Sequence, residues 1–374
     1  MVATLAAPAI RTALTTRDLS DPAQGSHSMQ VLVGEIEQAL VRQWAVEVLR
    51  VREHPVVSVH ENYDRLRIPP DAVARDVRYT RYLNDETVLR THTSAIVPPA
   101  LDRLAPATPT DVLLSCPGIC YRRDVIDRHH VGQPHQLDLW RVRTAGTALG
   151  SNDLREMIAA VLEAAIGPKS WRTVETGHPY TVGGVQIDVN ERHSWLEVGE
   201  CGVAHPAVLR DSGLAVPPTS GLAMGLGLDR LLMIRKGMDD IRLLRSTDPR
   251  IATQLLDLEP YRPVSSMPPV KRDISIAVAA ETSAETLGDR IRVALADGAA
   301  SVESVQVLDE TPYDQLPRAA RDRLGMSPEQ KNLLVRVVLR DLERTLTDVD
   351  ANALRDRIYA AIHEGSVWAW ASAE

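Results

Sequence analysis

Phenylalanine is missing from all 374 positions of the chain. Folding physics asks for no such omission, because a phenyl ring buries a large apolar area at modest entropic loss. Bulky groups as such are not avoided: hydrophobic residues make up 44% of the sequence, with eight Tyr and six Trp. An Arg- and Ala-rich, Lys-poor make-up points to a GC-rich genome, yet that bias thins Tyr codons as much as Phe codons. The omission therefore asks for a reason in how or when the protein is made. Cysteine is scarce as well. Cys116, Cys120 and Cys201 are odd in number and irregularly spaced. They argue against a disulfide framework, and Cys116 and Cys120 alone make no metal site, so a reducing cytoplasm is the expected setting. No apolar run approaches the ~18 residues that span a bilayer, and no membrane partner is expected. Positive charge is in deficit. A net charge of −8 excludes a protein coated in positive charge for sequence-independent nucleic-acid binding, while leaving room for a local basic groove.

What is present suits two or three domains of a globular protein. Residues 1–25 lack the apolar core of a secretory signal and are expected to form a flexible leader. Met29, Leu32, Ile36 and Leu40 recur at helical spacing and predict a helix over 28–44. Val46 and Val48, and Ile187 and Val189, alternate as strands do. Residues 26–258 thus mix helices and strands without regular βαβ alternation, which favours an α+β fold around an antiparallel sheet. Proline clusters at 259–263 and 267–269 mark a linker. Beyond it, strands near 274–278, 302–308, 333–339 and 367–370 and helices near 283–295 and 350–362 predict a ferredoxin-like β-α-β-β-α-β domain over 259–374. The loop between its two middle strands centres on Leu316-Pro317.

Three segments carry chemistry. Gly225-Leu226-Gly227-Leu228-Asp229-Arg230 sets small residues before a helix with an Arg on its first turn. Such a turn admits a flat ligand close to the backbone, or simply packs tightly. Tyr121-Arg122-Arg123-Asp124, expected on a strand, precedes His129-His130 and His135-Gln136-Leu137-Asp138. An Arg two residues before an acid suits a bent ATP. Arg90-Thr91-His92-Thr93-Ser94 offers donors and acceptors for a small zwitterion.

Together these segments resemble the catalytic domain of phenylalanyl-tRNA synthetase, a class II aminoacyl-tRNA synthetase. Asn62–Asp76 is similar to that family's first motif, Tyr121–Asp138 to its second and Gly221–Met233 to its third. Trp195–Val198, Cys201-Gly202 and His205-Pro206 match the stretch between the last two, and Asp240–Arg242 and Ser246–Arg250 match the stretch after the third. Pro268–Ser275 and Glu343–Asp348 resemble the anticodon-binding domain of the single-chain form, which is monomeric or homodimeric.

The resemblance implies an enzyme that uses ATP and Mg²⁺ to activate phenylalanine or a related aromatic amino acid and passes it to tRNA. It implies that Arg122 and Arg230 are catalytic and, with Asp124, His130 and Glu197, bind the nucleotide. Glu197 is the expected metal carboxylate. His92, Ser94, Gln136 and Asp138 stand where the family holds the amino and carboxylate groups of the amino acid. His178, Tyr180, Ala223 and Gly225 stand around its ring. Asp138 replaces the usual Glu, and His178-Pro179-Tyr180 replaces a Phe-Pro-Phe triplet. Val97 and Val182 stand in place of a Gln and a Glu expected in the site. Lys271, Arg272, Arg336, Arg340 and Arg344 are candidates for a strip that meets RNA, and Trp368 and Trp370 for base stacking or for capping a core. Two other functions stay open: adenylation with transfer to a non-tRNA acceptor, and a non-catalytic RNA-binding or sensing protein. With a missing Phe, the resemblance also suggests a back-up or resistance form of a housekeeping enzyme.

Overall fold

A computed structural model describes the chain except residues 1–3, 108, 193, 265–266 and 369–374. The chain divides into two compact units: Met1–Arg122, Gln133–Asp239 and Ala252–Tyr261 form one, and Arg123–Gly132, Asp240–Ile251 and Arg262–Glu374 the other.

The first unit runs α1 (Ala7–Thr15), α2 (Ser28–Trp44), β1 (Glu47–Arg50), β2 (Val56–Ser58), α3 (Val59–Asn62), β3 (Thr87–Leu89), α4 (Val97–Leu104), β4 (Asp111–Ile119), β5 (His135–Arg143), α5 (Ser151–Ile166), β6 (Trp171–Glu175), β7 (Thr181–Glu191), β8 (Ser194–Ala204), α6 (Pro206–Asp211), β9 (Ser220–Gly227) and α7 (Leu228–Lys236). Helix α2 keeps the predicted bounds because Met29, Leu32, Ile36 and Leu40 form one buried stripe. It ends at Ala45, whose backbone is left-handed. Seven strands form one sheet in the order β1-β4-β5-β9-β8-β7-β6. Only β1 and β4 pair in parallel, and every other pairing in that sheet is antiparallel. The α+β expectation thus holds for this unit. The stretch expected as a flexible leader contains α1 and a docked segment. Asp18, Leu19 and Ser20 are buried; the Leu19 amide donates to His135 Nε2 at 3.0 Å, and Asp18 Oδ2 accepts from the Ile119 amide at 3.1 Å.

After the short α8 (Pro249–Ala252), the second unit runs β10 (Val270–Ala279), α9 (Ala284–Leu295), β11 (Val302–Pro312), α10 (Arg318–Leu324), β12 (Gln330–Leu339) and α11 (Asp348–Ile362). Its sheet has the order β10-β12-β11 and is antiparallel throughout. Ile274, Ile276 and Val278 of β10 join Leu287 and Ile291 of α9 and Ile358 and Ile362 of α11 in one core. The helices start at Ser283, which caps the Thr286 amide, and at Thr347, which forms a reciprocal capping box with Asp350. The predicted loop at Leu316-Pro317 holds a helix, α10, because Pro317 serves as its N-cap. The strand expected over 367–370 is not formed at Val367 and Trp368. Residues 369 and 370, including Trp370, lie outside the described residues. Trp368 packs edge-on against His363 and Tyr359, with ring centroids at 5.3 and 5.9 Å.

Candidate active site

The site of the first unit is built on the middle of its sheet. In antiparallel register, Gly225 of β9 lies between Asp138 of β5 and Glu200 of β8. Ala223 lies likewise between Trp140 and Gly202. Since side chains alternate along a strand, these six positions share one face. The central strand of that face offers only small residues, and its neighbours offer carboxylates and an indole.

Asp138 is buried. The hydroxyl of Thr93 donates to its Oδ2 at 2.7 Å, and that of Ser94 to its Oδ1 at 2.8 Å. Burial pushes its carboxyl up, while the two hydroxyls and the Arg122 guanidinium work the other way. Gln136, two residues earlier, accepts at Oε1 from the Thr93 amide at 3.3 Å and from Cys120 Sγ at 3.4 Å. His92 sits against Tyr63 in an edge contact of 6.3 Å. Both its ring nitrogens are buried without a hydrogen-bond partner among the described residues. Burial, with Arg122 adding to it, pulls its imidazole down to about 3. Arg122 donates from Nε to the Thr91 carbonyl at 2.7 Å, which ties it to the same loop.

Tyr180 is half-buried and stacks on Trp140, with centroids 6.2 Å apart and planes at 24°. His178 leans on Tyr180 at 5.5 Å, and its Nε2 lies 2.6 Å from Glu200 Oε2. Val97 is fully buried at the start of α4 and belongs to the apolar cluster that holds Trp140 and Ala223. Val182 stands elsewhere. It pairs with Val203, one residue off the Gly202 register, and is 51% exposed. A bulge between Val182 and Val185, where Gly183 is left-handed, turns it to the opposite face from Ala223.

On the face of Ala223 and Gly225, a second bulge aligns Glu197 with Asp188 while Glu200 aligns with Gln186. Glu197 and Glu200 therefore point the same way. Desolvation raises the Glu197 carboxyl, and Arg230 opposes that rise. Arg230, on the first turn of α7, donates from Nη1 to the Glu197 carbonyl at 2.9 Å. The start of α7 is anchored by Asp229, which accepts from the His135 amide and lies 3.0 Å from His135 Nδ1. With Leu19 donating to Nε2, the imidazole keeps its proton on Nδ1.

Of the residues named from sequence, this unit brings together His92, Ser94, Arg122, Gln136, Asp138, His178, Tyr180, Glu197, Ala223, Gly225 and Arg230. Glu200 is not among those the sequence singles out. Arg122 and Asp124 are expected on a strand, but β4 ends at Ile119 and residues 120–126 form neither helix nor strand. The chain leaves the sheet because the next segment folds with the second unit. There Ile126 enters the core, its carbonyl accepts from the Val305 amide at 2.8 Å, and Arg292 donates to the carbonyls of Asp124 and Val125 at 2.6 Å each. His130 Nδ1 lies 2.8 Å from both oxygens of Asp127.

The five basic residues expected to form an RNA strip do not line up. Arg336 is paired with Asp273 across the sheet and shares its face with Lys271, whereas Arg272 lies on the other face and reaches Asp348 and Asn352 of α11. Arg340 pairs with Glu303 at 2.6 Å and Arg344 with Asp350 at 2.9 Å.

Two family models match the chain. One, tRNA synthetases class II core domain (F), covers residues 14–255, and the other, Ferredoxin-fold anticodon binding domain, covers residues 265–366. The chain is 39% identical over 206 residues to the phenylalanine–tRNA ligase alpha subunit of Prochlorococcus marinus (strain MIT 9313), covering 55% of this chain and 59% of that one. It is 30% identical over 247 residues to the alpha subunit of Heliobacterium modesticaldum, covering 62% and 70%. It is also 29% identical over 316 residues to the chloroplastic/mitochondrial phenylalanine–tRNA ligase of Arabidopsis thaliana, covering 81% and 68%. The match to the Prochlorococcus alpha subunit thus spans less than two thirds of that relative's length.

Proposed function

Starting from a chain that belongs to the class II tRNA synthetase family, we propose that it activates an aromatic α-amino acid, phenylalanine or a close relative, with ATP and transfers it to tRNA. The observation that carries this reading is the strand register that sets Asp138 beside Gly225 and Ala223 on one face, with Arg122 tied to the adjoining loop. An ammonium group fits the Asp138 carboxylate, and a flat side chain fits beside Gly225, which is half-buried and has room for a Cβ, whereas Ala223 is buried in the apolar cluster behind it.

In the first step a carboxylate oxygen of the amino acid attacks the α-phosphorus of ATP, and pyrophosphate leaves. The step needs alignment and charge stabilisation more than proton transfer. Arg122 is assigned to the α-phosphate. Arg230 and His130 are assigned to the β- and γ-phosphates, and Asp124 to the nucleotide. Gln136, His92 and Ser94 orient the amino acid, and His178 and Tyr180 wall its ring. In the second step a terminal ribose hydroxyl of tRNA attacks the acyl carbon, and AMP leaves. Glu197 is assigned as the metal carboxylate: its side chain is exposed on the site face, and Arg230 offsets part of the desolvation that raises its carboxyl. Mg²⁺ held there would neutralise phosphate charge.

ATP–pyrophosphate exchange with a panel of amino acids, followed by charging of total tRNA, tests the proposal. Exchange with an aromatic amino acid and acylated tRNA are expected. Exchange without tRNA charging would move the acyl group to another acceptor, and no exchange at all would refute the enzyme. Where phenylalanine is the amino acid activated, the absence of Phe supports a role as a back-up or resistance form, made while charged tRNA for Phe is scarce. Cells lacking the gene should then become more sensitive to inhibitors of the housekeeping synthetase, and unchanged sensitivity counts against that role.

A further inference from the structure

The far wall of the same pocket carries a polar pair. Gly225 separates Asp138 from Glu200 in the strand register, so the two acidic residues stand two strand spacings, about 10 Å, apart on one face. The space between them is open. A Cβ placed on Gly225 would meet nothing nearer than the Asp138 oxygens, at 3.8 and 3.9 Å. At one end Asp138 is already oriented by Thr93 and Ser94. At the other, Glu200 Oε2 lies 2.6 Å from His178 Nε2, and its Oε1 has no partner among the described residues. The rings of His178, Tyr180 and Trp140 follow one another along this side, with successive centroids at 5.5 and 6.2 Å and planes tilted by 40° and 24°.

This layout matches an α-amino acid lying across Gly225, its ammonium at Asp138 and the far edge of its ring at Glu200. A bare phenyl ring would turn a C–H edge to a partly desolvated carboxylate and satisfy nothing. A ring carrying O–H or N–H would donate to Oε1 in a charge-assisted hydrogen bond. We propose that Glu200, positioned by His178, is a specificity-determining residue. Through it the pocket takes an aromatic amino acid with a hydroxyl or amino group on its ring in preference to phenylalanine. The inference rests on the activation reaction proposed above.

The test is ATP–pyrophosphate exchange by the full chain with phenylalanine, tyrosine, 3-hydroxyphenylalanine and 4-aminophenylalanine, each under the same ATP and Mg²⁺. At least one substituted ring should exceed phenylalanine in kcat/KM by about tenfold or more, as a site that bonds a substrate hydroxyl discriminates against the analogue without it. Glu200→Gln and Glu200→Ala, checked for folding by thermal denaturation, should lower that ratio about tenfold. Phenylalanine preferred by the unaltered protein would overturn the inference and leave the activation reaction standing. An equal loss for every substrate in both variants would also overturn it, because Glu200 would then act on the fold alone. No exchange with any of the four would overturn both.

Discussion

His92 gives the protein a stability that depends on pH in a calculable direction. Its imidazole is pulled from the ordinary 6.5 to about 3 by burial and by the neighbouring Arg122 guanidinium. In the unfolded chain the same ring takes up a proton near pH 6.5. Between those values the unfolded state binds a proton that the folded state refuses, so stability falls as pH falls. Full stability is present above about pH 6.5, and the loss grows until pH reaches about 3. From pH 7 to pH 5 the unfolded ring gains most of one proton while the folded ring gains almost none. At ~1.4 kcal/mol per unit, this amounts to about 2 kcal/mol over that interval. Urea denaturation at both pH values, on the unaltered protein and on His92→Gln, isolates the effect because the other titrating groups cancel in the difference. The variant should lose about 2 kcal/mol less than the unaltered protein on acidification. Parallel losses, within ~0.5 kcal/mol, would refute the assignment of a neutral, buried His92. So would a His92 ring resonance that titrates between pH 6 and 7 in the folded protein.

Gly118→Ala should destabilise the first unit by ~2 kcal/mol or more in the same assay. A Cβ there runs into the Arg90 guanidinium, which cannot retreat without breaking bonds to the carbonyls of Ile119 at 2.8 Å and Glu53 at 3.0 Å. Asp138→Asn should raise the KM for the amino acid by at least about tenfold, the weight of one charge-assisted hydrogen bond, and leave the KM for ATP unchanged. Steady-state exchange kinetics separate the two. Cys116, Cys120 and Cys201 are buried free thiols, and burial pushes the latter two up to about 12. Native protein at pH 8 should therefore resist alkylation by iodoacetamide, counted by mass, and react at all three sites only in urea.

Local periodicity and motif spacing make most of the fold legible. Helix α2 and the strands and helices of the second unit follow from apolar repeats that match the buried stripes observed. Helix α10 escapes because Pro317 reads as a loop marker, although a proline can equally open a helix. The excursion of residues 123–132 into the second core has no periodic signature: of Val125, Ile126 and Val131 only Ile126 enters that core. The site is legible where it depends on which residues occur, and less so where it depends on register. Asp138, Ala223 and Gly225 share a face because β5 and β9 pair without interruption. Val182 and Glu200 lie on β7 and β8, whose pairing is broken by two bulges. The family resemblance credits Val182 to the pocket and passes over Glu200, and counting alternate residues cannot correct this across a bulge. The proximity of a His and a Glu 22 positions apart is set by that register alone.

The small residues of the sheet also set what the pocket can become. Gly199 and Gly202 cannot gain a side chain without moving their neighbours: a Cβ on Gly199 meets the Gly225 carbonyl, and one on Gly202 comes within 2.6 Å of Thr181. Gly225 has room for a methyl, whose nearest neighbours would be the Asp138 oxygens at 3.8 and 3.9 Å. A lineage drifting under a new substrate therefore has one permissive glycine, Gly225, and one forbidden one, Gly202, on the pocket face, while Gly199 is closed on the opposite face of the sheet. Single-nucleotide steps at codon 225 are the path along which its choice of amino acid can be retuned while the sheet stays intact.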